Sequence, residues 1–516
     1  MASAPPLDSR LPGIEFAATR PPEEAPLRTD IALFLGSAER GPVGEAVRIE
    51  GWRAYAAIFG ELQPDMQMPH AIKAYFENGG RIAHVIRLAP GAVTATRAWD
   101  LSADGGFVPP FIGHVGYTLA AASPGAWAND LEVEASYRRS DDPEGVFDFD
   151  VRLKGTTLER LHAVRSDQIE VGVAERSALI RLSPDTASAA PLSPAPVGPR
   201  LRKWGVLRPE NGDDGAVPGH DQYVEALEAA MRVPEAALIA MPDLHRHCDE
   251  ALASQIILAA ARLADARLDR MVIADLPEGV ADTIGARQWL ARFANDPAIM
   301  RAAAFYHPWL RMRDPVGSLR APMRSIAPSG HVTGLISRLD RARGAHVTPA
   351  NDSLTDAVDL TRRPGDMVQG ELNSLGVNAL RCQSGRGLVV WGGRLPQMLP
   401  GDPAYVAHRR LIHRLVRAVR RVAEPLVFDP NDRMLQLTLS RAATTLLMEA
   451  FHAGVLKGVT PSQAFQINVG PEINDAAAHD AGRVICEIAV APAVPMEFIK
   501  IRVGLSPDGE VEMVES

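Results

Sequence analysis

The sequence predicts a multidomain protein of the α/β and α+β classes, and three observations carry this prediction. Strand-like apolar runs alternate with helical patterns over 29–88 and again over 201–350, which is typical of mainly parallel sheets with crossover helices. Between them, apolar residues alternate with polar ones over 127–182, which indicates a small antiparallel β domain. Residues 184–200 are rich in proline and read as a linker.

Length and composition place the chain among ordinary globular proteins. Its 516 residues allow two to four domains at about 150 residues each. A hydrophobic share of 46% and a charged share of 23% exclude a disordered chain, a collagen and a coiled-coil rod. The net charge of -9 gives no reason to expect nucleic-acid binding.

Neither membrane insertion nor a disulfide framework is expected. No apolar run reaches the roughly 18 residues that a spanning helix needs, and the N-terminus lacks the pattern of a secretory signal. The three cysteines, Cys248, Cys382 and Cys486, lie far apart and form no CxxC pair. They fit small buried residues in a protein assembled in a reducing compartment.

The N-terminal part predicts strand, helix, strand. Strands are expected at 31–35 and 82–88, and helices at 52–59 and 68–76, with the second helix ended by the glycines of 78–80.

Further along, strands are expected at 131–137, 147–153 and 169–173, and two long helices at 402–423 and 430–454. Alternating apolar residues at both ends of the chain, Ile14 and Phe16 near the N-terminus and 498–514 at the C-terminus, predict terminal strands.

A hydrolase site is the first chemical hypothesis to weigh. The second α/β segment carries Asp, His and Ser residues from which a catalytic triad could be assembled: Asp243, Asp275, His307, Ser329 and His331. No serine lies in the GxSxG context of a nucleophile elbow, however. Asp275 reads better as a residue that caps the end of a strand, so the prediction is that the protein is not an enzyme, with a hydrolase as the alternative.

No metal or cofactor site is expected either. His245, His247, Cys248 and Asp249 lack the spacing and the further ligand of a zinc site. The segment 212–215 is too short for a calcium loop and reads as a turn. Phosphate-cradling glycine motifs are absent from the sequence.

One segment concentrates positive charge. Between Tyr405 and Ala423 there are six arginines, two histidines and no acid, with apolar residues at helical spacing. Two interpretations remain open. The arginines pair with nearby Asp and Glu residues on a solvated helix face, or they form a docking surface for an acidic partner.

Short motifs in a fixed order resemble the tail sheath proteins of contractile phages and related contractile injection particles. They run over nearly the whole chain: 12–15 (PGIE), 31–36, 40–42 (RGP), 76–80 (FENGG), 123–129 (SPGAWAN), 328–334 (PSGHVTG), 349–351 (PAN), 376–378 (GVN), 390–394 (VWGGR), 428–432 (FDPND) and 495–499 (PMEFI). Two positions depart from the family pattern, Gly393 where alanine is more frequent and Ala128 where glycine is usual.

The resemblance implies a division of the chain into domains. We expect an extended N-terminal arm (1–28), an N-terminal α/β part (29–121), a β-sandwich domain (122–183), the linker (184–200), a subtilisin-like α/β domain without a protease site (201–375), a C-terminal assembly domain (376–498) and a C-terminal arm (499–516). The assembly domain would combine the N- and C-terminal parts.

It also implies a structural function. Hexameric rings of the subunit would stack helically around an inner tube and contract to drive the tube through a target envelope. The expected partners are other copies of the chain, the inner tail tube protein, and baseplate and terminator or cap proteins, with assembly in the bacterial cytoplasm. No nucleic acid, cofactor or metal is implied.

Two groups of site residues follow from this resemblance. Arms that donate strands between subunits are expected at Ile14, Phe16, Ile499, Ile501 and Val503. Contact with the inner tube is expected from the basic helix through Arg410, Arg414, Arg417, Arg420 and Arg421.

Overall fold

The structure is a computed structural model, and it describes residues 28–102, 112, 114, 116–139, 145–185, 201–293, 296–318, 320–396, 404–426, 432–475, 483–491, 499–505 and 511–515. The N-terminal residues Ile14 and Phe16 therefore lie outside the described residues.

The strands, in chain order, are β1 (Ala32–Gly36), β2 (Ala46–Ile49), β3 (Ala83–Arg87), β4 (Thr96–Asp100), β5 (Gly116–Ala121), β6 (Leu131–Arg138), β7 (Val146–Leu153), β8 (Thr156–Arg165), β9 (Ile180–Pro184), β10 (Leu201–Lys203), β11 (Leu238–Ala240), β12 (Met271–Asp275), β13 (Ala303–His307), β14 (Leu310–Arg313), β15 (Met323–Ile326), β16 (Asp352–Ser353), β17 (Asp359–Leu360), β18 (Val377–Gln383), β19 (Gly387–Trp391), β20 (Phe465–Asn468), β21 (Val484–Val490), β22 (Ile499–Leu505) and β23 (Val511–Glu515).

The α-helices are α1 (Trp52–Phe59), α2 (Met68–Glu77), α3 (Ile169–Arg176), α4 (His220–Met231), α5 (Leu244–His247), α6 (Glu250–Arg267), α7 (Thr283–Ala291), α8 (Pro297–Ala302), α9 (Ser329–Arg343), α10 (Asp366–Ser374), α11 (Val406–Ala423), α12 (Arg433–His452) and α13 (Pro461–Ala464). Most of the predicted helices and strands are confirmed to within a few residues.

A nine-stranded sheet forms the centre of the molecule, in the order β16-β19-β18-β13-β12-β11-β1-β3-β2. The six strands from β18 to β3 are parallel, as the alternation of strands and helices predicts. Along β1, Leu33 and Leu35 join the core on one face, while Ala32 and Phe34 join the core on the other. Both faces of this sheet are therefore covered, which is the usual condition of a parallel sheet.

This sheet crosses the predicted domain borders. Strand β1 of the N-terminal part pairs with β11, and β13 pairs with β18, which begins at Val377. The predicted borders at 201 and 375 thus separate segments whose strands lie in one sheet and share its two hydrophobic cores.

The β-rich region has two antiparallel sheets, β4-β5-β9 and β10-β6-β7-β8, around one core. Trp99 of β4 packs edge-on against Phe147, Phe149 and Trp204, with ring centroids 5.5–6.0 Å apart. Because β4, β5 and Trp204, which follows β10, belong to this core, the region extends on both sides beyond the predicted limits of 122 and 183.

One predicted strand is wrong. The apolar alternation at 169–173 forms the start of helix α3, in which Ile169 and Val173 are buried and Val171 is 55% exposed. Ile169 and Val173 are spaced i, i+4, which fits one face of a helix as well as one face of a strand. The alternation alone therefore could not distinguish a helix from a strand at 169–173.

Helices α2 and α9 pack closely through two glycines. A Cβ at Gly330 would lie 2.5 Å from the carbonyl oxygen of Ala71, and one at Gly334 would lie 2.5 Å from that of Tyr75. Only glycine allows the two backbones to approach this far.

The C-terminal part combines α11 and α12 with a four-stranded sheet in the order β20-β21-β22-β23. Apolar residues from both helices and from β20 and β21 form its core. In the described part of the chain, no helix is long and apolar enough to cross a membrane.

Candidate assembly site

The basic helix α11 lies inside the subunit. Arg410 and Arg417 are only 3% and 8% exposed, and most of the helix is buried with them. Their guanidinium groups bind other segments of the same chain, so the helix connects parts of the fold.

Arg417 binds carbonyl oxygens from three separate segments. Its Nε donates to the oxygen of Asp269 at 2.8 Å, and Nη1 donates to those of Arg28 and Glu235 at 3.2 Å each. Nη2 donates to the oxygen of Ala236. Burial lowers the pKa of Arg417 to about 10, which leaves the group charged at neutral pH. One side chain thus ties the start of the N-terminal part to the segments that precede β11 and β12.

Arg410 holds the next residues of the same N-terminal segment. It forms a buried ion pair with Asp340 of α9 and donates from Nη2 to the carbonyl oxygen of Thr29 at 2.9 Å. The Tyr75 hydroxyl donates to the carbonyl oxygen of Asp30 at 3.1 Å. Residues 28–30 are therefore fixed by hydrogen bonds to α2 and α11.

Asp269 neutralises positive charge near the C-terminal end of α11. This 2%-exposed carboxylate accepts hydrogen bonds from Arg270 at 2.7 Å and from Arg420 at 2.9 Å. Burial alone would raise the pKa of Asp269, but the hydrogen bond and positive charge of Arg270, together with Arg417, hold it well below its usual range. The carboxylate therefore stays ionised and supplies the acid that the helix lacks.

These contacts place part of the predicted tube-facing surface inside the subunit. Arg410, Arg417 and Arg420 form their hydrogen bonds and ion pairs within the subunit. On this side of the helix, the first of the two interpretations therefore applies, in which the arginines pair within their own chain. The partners come from α9 and from the loop before β12, which a local stretch of sequence does not contain. Arg414 and Arg421 are half-buried and line grooves between α11 and its neighbours.

The predicted C-terminal arm residues lie in the chain's own sheet. Strand β22 pairs antiparallel with β21, with Ile499 opposite Val490 and Val503 opposite Cys486. Ile501 occupies the position between them, opposite Ile488. The predicted strand is confirmed, whereas its exchange between subunits remains a prediction.

Strand β20 forms one edge of this sheet. Among the described residues it pairs with β21 alone, along Phe465–Asn468. A groove of about 560 Å³ follows this edge and is lined by Gln466, Ile467, Asn468, Glu487 and Ala489. An unpaired edge of this kind can accept a further strand.

The residues considered for a hydrolase triad have structural contacts instead. Asp275 ends β12, and its Oδ1 accepts the Ser329 N–H at the start of α9 at 2.7 Å. The Nδ1 of His307 is buried and has no hydrogen-bond partner among the described residues. Asp243 accepts three backbone N–H groups, from Ser37, Gln67 and Met68, at 2.5–3.2 Å.

The residues considered for metal binding also contact different partners. His245 Nε2 lies 2.8 Å from the carbonyl oxygen of Asp275, and His247 lies between Ser37 and Tyr223. The Asp249 carboxylate caps α6 by accepting the Leu252 N–H. Within the described ranges, no three His, Cys, Asp or Glu side chains are arranged to hold a metal ion.

Sequence reasoning missed another buried arginine, Arg87, which ends β3. It is 1% exposed and donates to the carbonyl oxygens of Ala38, Gly41 and Pro124 at 2.9 Å each. The last contact joins the central sheet to the β-rich region. The sequence signal that could have revealed Arg87 is a charged residue at the end of a buried apolar strand.

The central region matches a family model. Residues 216–394, from α4 to the end of β19, match the phage tail sheath protein central domain. No curated protein matches the sequence.

Solved structures extend this match to nearly the whole chain. The sheath tail protein of Desulfitobacterium hafniense is 15% identical with a TM-score of 0.60, and the alignment covers 96% of this chain and 100% of that one. The chain has the tail sheath fold. The sheath tail protein of Listeria innocua is 14% identical with a TM-score of 0.64, over 93% of this chain and 95% of that one.

A third similar structure is the helical sheath of the anti-feeding prophage in its contracted state. It is 19% identical with a TM-score of 0.55, over 96% of this chain and 98% of that one. The resemblance to tail sheath proteins seen in the sequence motifs is confirmed by these matches.

Proposed function

We propose that the protein is the structural subunit of a contractile tail sheath. The observation that carries the proposal is the tail sheath fold over nearly the whole chain, with the sheath central domain at its centre. The parallel strands β11 to β13, covered on both faces, support a subtilisin-like description of the central domain without a protease site.

In this proposal the subunits form hexameric rings that stack helically around an inner tube. Stacking of this kind uses a heterologous contact, in which one surface of a subunit binds a different surface of its neighbour. The β20 edge is such a surface, because it offers unpaired backbone groups to a strand from another copy.

The terminal segments supply the complementary strands. Ile14 and Phe16 of the N-terminal arm would pair in a neighbour's sheet. Strands β22 and β23, with Ile499, Ile501 and Val503, would pair either in their own sheet or in the equivalent sheet of a neighbour. Backbone pairing through an arm keeps subunits connected while the rings move during contraction.

Contact with the inner tube needs a surface other than the buried side of α11. Arg421 stays in the proposal, together with the neighbouring helix α12. That helix buries only a stripe of four residues and leaves Met434 65% and Leu437 39% exposed. Baseplate and terminator or cap proteins complete the proposed particle, which would assemble in the bacterial cytoplasm.

Electron microscopy of the purified full-length protein tests the proposal. A sheath subunit is expected to form tubes, sleeves or rings, and Ser329→Ala, His307→Ala and Asp275→Ala should not remove any function at unchanged stability. A monodisperse monomer with an esterase or protease activity that Ser329→Ala abolishes would favour the hydrolase alternative.

A further inference from the structure

A cleft of about 1050 Å³ opens beside Arg28, the first described residue. Its walls come from the segment after α2, the end of α9, the middle of α11 and the turn after α12. The N-terminal arm leaves the described part of the subunit at this cleft.

The cleft carries more positive charge than its own acids neutralise. Five arginines and three acidic residues line it. Each acid already pairs with an arginine: Asp30 with Arg28 and Arg341, Glu50 with Arg48, and Asp340 with Arg410. None of these three acids therefore pairs with the remaining arginines of the lining.

Three of these arginines are Arg81, Arg343 and Arg414. None of them makes a hydrogen bond or ion pair with a residue that the structure describes. Burial lowers the pKa of His346, and the positive charges of Arg414 and Arg343 lower it further. The Nδ1 of His346 is buried and has no hydrogen-bond partner among the described residues. The arrangement fits a carboxylate ligand.

The cleft continues into an apolar groove. A space of about 640 Å³ between α11 and α12 shares Arg414, Ala453 and Val455 with the cleft. Its walls include Leu411 and Leu446. The combined channel is cationic near Arg28, and farther along α11 its mainly apolar lining also includes Arg421 and Glu449.

The residues that precede Arg28 have a chemistry complementary to this channel. Residues 21–27 (PPEEAPL) hold two glutamates and no base, together with three prolines and a leucine. Glu24 is four residues from Arg28, so an extended chain places it within about 14 Å of that residue. Both glutamates are thus within reach of the cleft.

We propose that the cleft binds residues 21–27 of the same chain, with the carboxylates of Glu23 and Glu24 on Arg343 and Arg414. The proline and leucine side chains pack toward Ala453 and Val455. The arm then leaves the subunit in a fixed direction several residues before Arg28. This holds for the single subunit and does not depend on the proposed sheath function.

A disulfide between the arm and the cleft tests the proposal in the full-length chain. Ala25→Cys, which keeps both glutamates, is combined with Ala342→Cys, whose side chain lines the cleft, in a Cys382→Ser background that removes the exposed native thiol. Mild oxidation should give an intrachain disulfide in most molecules, identified by peptide mass spectrometry. The control pair Ala25→Cys with Glu228→Cys, on α4 at the opposite face of the central sheet, should give none.

Charge reversal supplies the second readout. Arg343→Glu with Arg414→Glu should slow formation of the disulfide between positions 25 and 342 severalfold, with circular dichroism checking that the variant is folded. An unchanged rate in a folded variant would overturn the proposal. So would the absence of the intrachain disulfide, or a disulfide between two chains, which would assign the cleft to a neighbour's arm. If the reversed variant fails to fold, the comparison with the control pair decides alone.

Discussion

Arg417 is the residue on which the connection between distant segments depends most. Arg417→Met keeps the aliphatic stem but leaves four carbonyl oxygens without their donor. Because buried unsatisfied groups cost about 1–3 kcal/mol each, the free energy of unfolding should fall by about 3 kcal/mol or more. Urea denaturation followed by circular dichroism measures the change.

Arg433→Met is the matched control, since Arg433 is exposed on α12. It should alter the free energy of unfolding by no more than about 0.5 kcal/mol. Equal effects of the two substitutions would show that the contacts of Arg417 do not stabilise the fold.

The buried carboxyl of Asp275 should give the stability a pH dependence. Burial raises the pKa of Asp275 to about 7, against about 3.9 in an unfolded chain. Between these values the folded protein holds a proton that the unfolded chain has released. Stability should therefore fall as the pH rises from about 4 to about 7, by on the order of 2–4 kcal/mol from this group.

Asp275→Asn isolates that contribution, because the amide oxygen can still accept the Ser329 N–H but does not titrate. Denaturation midpoints between pH 4 and pH 8 should lose this part of the slope. Glu228→Gln, at an exposed site on α4, should keep the wild-type slope. A wild-type slope in Asp275→Asn would show that another group is responsible.

At the residue scale, the sequence revealed which arginines were unusual but not what they contact. Arg410 and Arg420 lie 70 and 151 positions from Asp340 and Asp269. A helix read in isolation shows no acid, so it resembles a docking surface. Only the fold brings the acids to it.

Among the elements, the α2–α9 contact depends on the two glycines of α9. Gly334→Ala would place a Cβ 2.5 Å from the carbonyl oxygen of Tyr75, so the helices must separate. Overpacking of this kind costs about 1–3 kcal/mol, which we expect to appear as a lower unfolding midpoint in urea.

Gly370 provides the opposite case in helix α10. A Cβ at this position meets no atom within 4 Å, so Gly370→Ala should stabilise the protein by up to about 1 kcal/mol through helix propensity. A stabilising effect at both positions would show that the α2–α9 backbones are not in close contact.

Elements with a long, consistent period were predictable. Helices α2, α11 and α12 each repeat their apolar residues over several turns, and the structure places them close to the expected limits. The segment at 169–173 was too short to separate the two periods. Its helical form depends on packing in the core of the β-rich region.

The whole molecule was less predictable than its elements. The sequence indicated parallel α/β segments, yet one sheet draws strands from the N-terminal, central and C-terminal parts. Each segment has the pattern of a separate domain because strands buried on both faces look alike wherever their neighbours come from. The candidate assembly site was equally hard to predict from the sequence, because its residues come together only through the long-range contacts of α11.

The N-terminal arm should be needed for assembly and not for folding. Deleting residues 1–20 leaves the hydrogen bonds of residues 28–30 and the core that starts at Ile31 intact. We expect an unchanged urea midpoint and a loss of assembled sleeves by electron microscopy. Deleting only residues 1–10 keeps Ile14 and Phe16 and should retain assembly. Normal sleeves from the 1–20 deletion would show that the arm does not connect subunits.

Cryo-electron microscopy of assembled full-length protein tests the central claim most directly. We predict a hollow helical sleeve with sixfold symmetry, in which the β20 edge of each subunit carries a strand from another copy. A monomer that forms no ordered assembly under any condition in which it is folded would contradict the sheath function. A sleeve whose β20 edges remain unpaired would contradict the proposed connection between subunits.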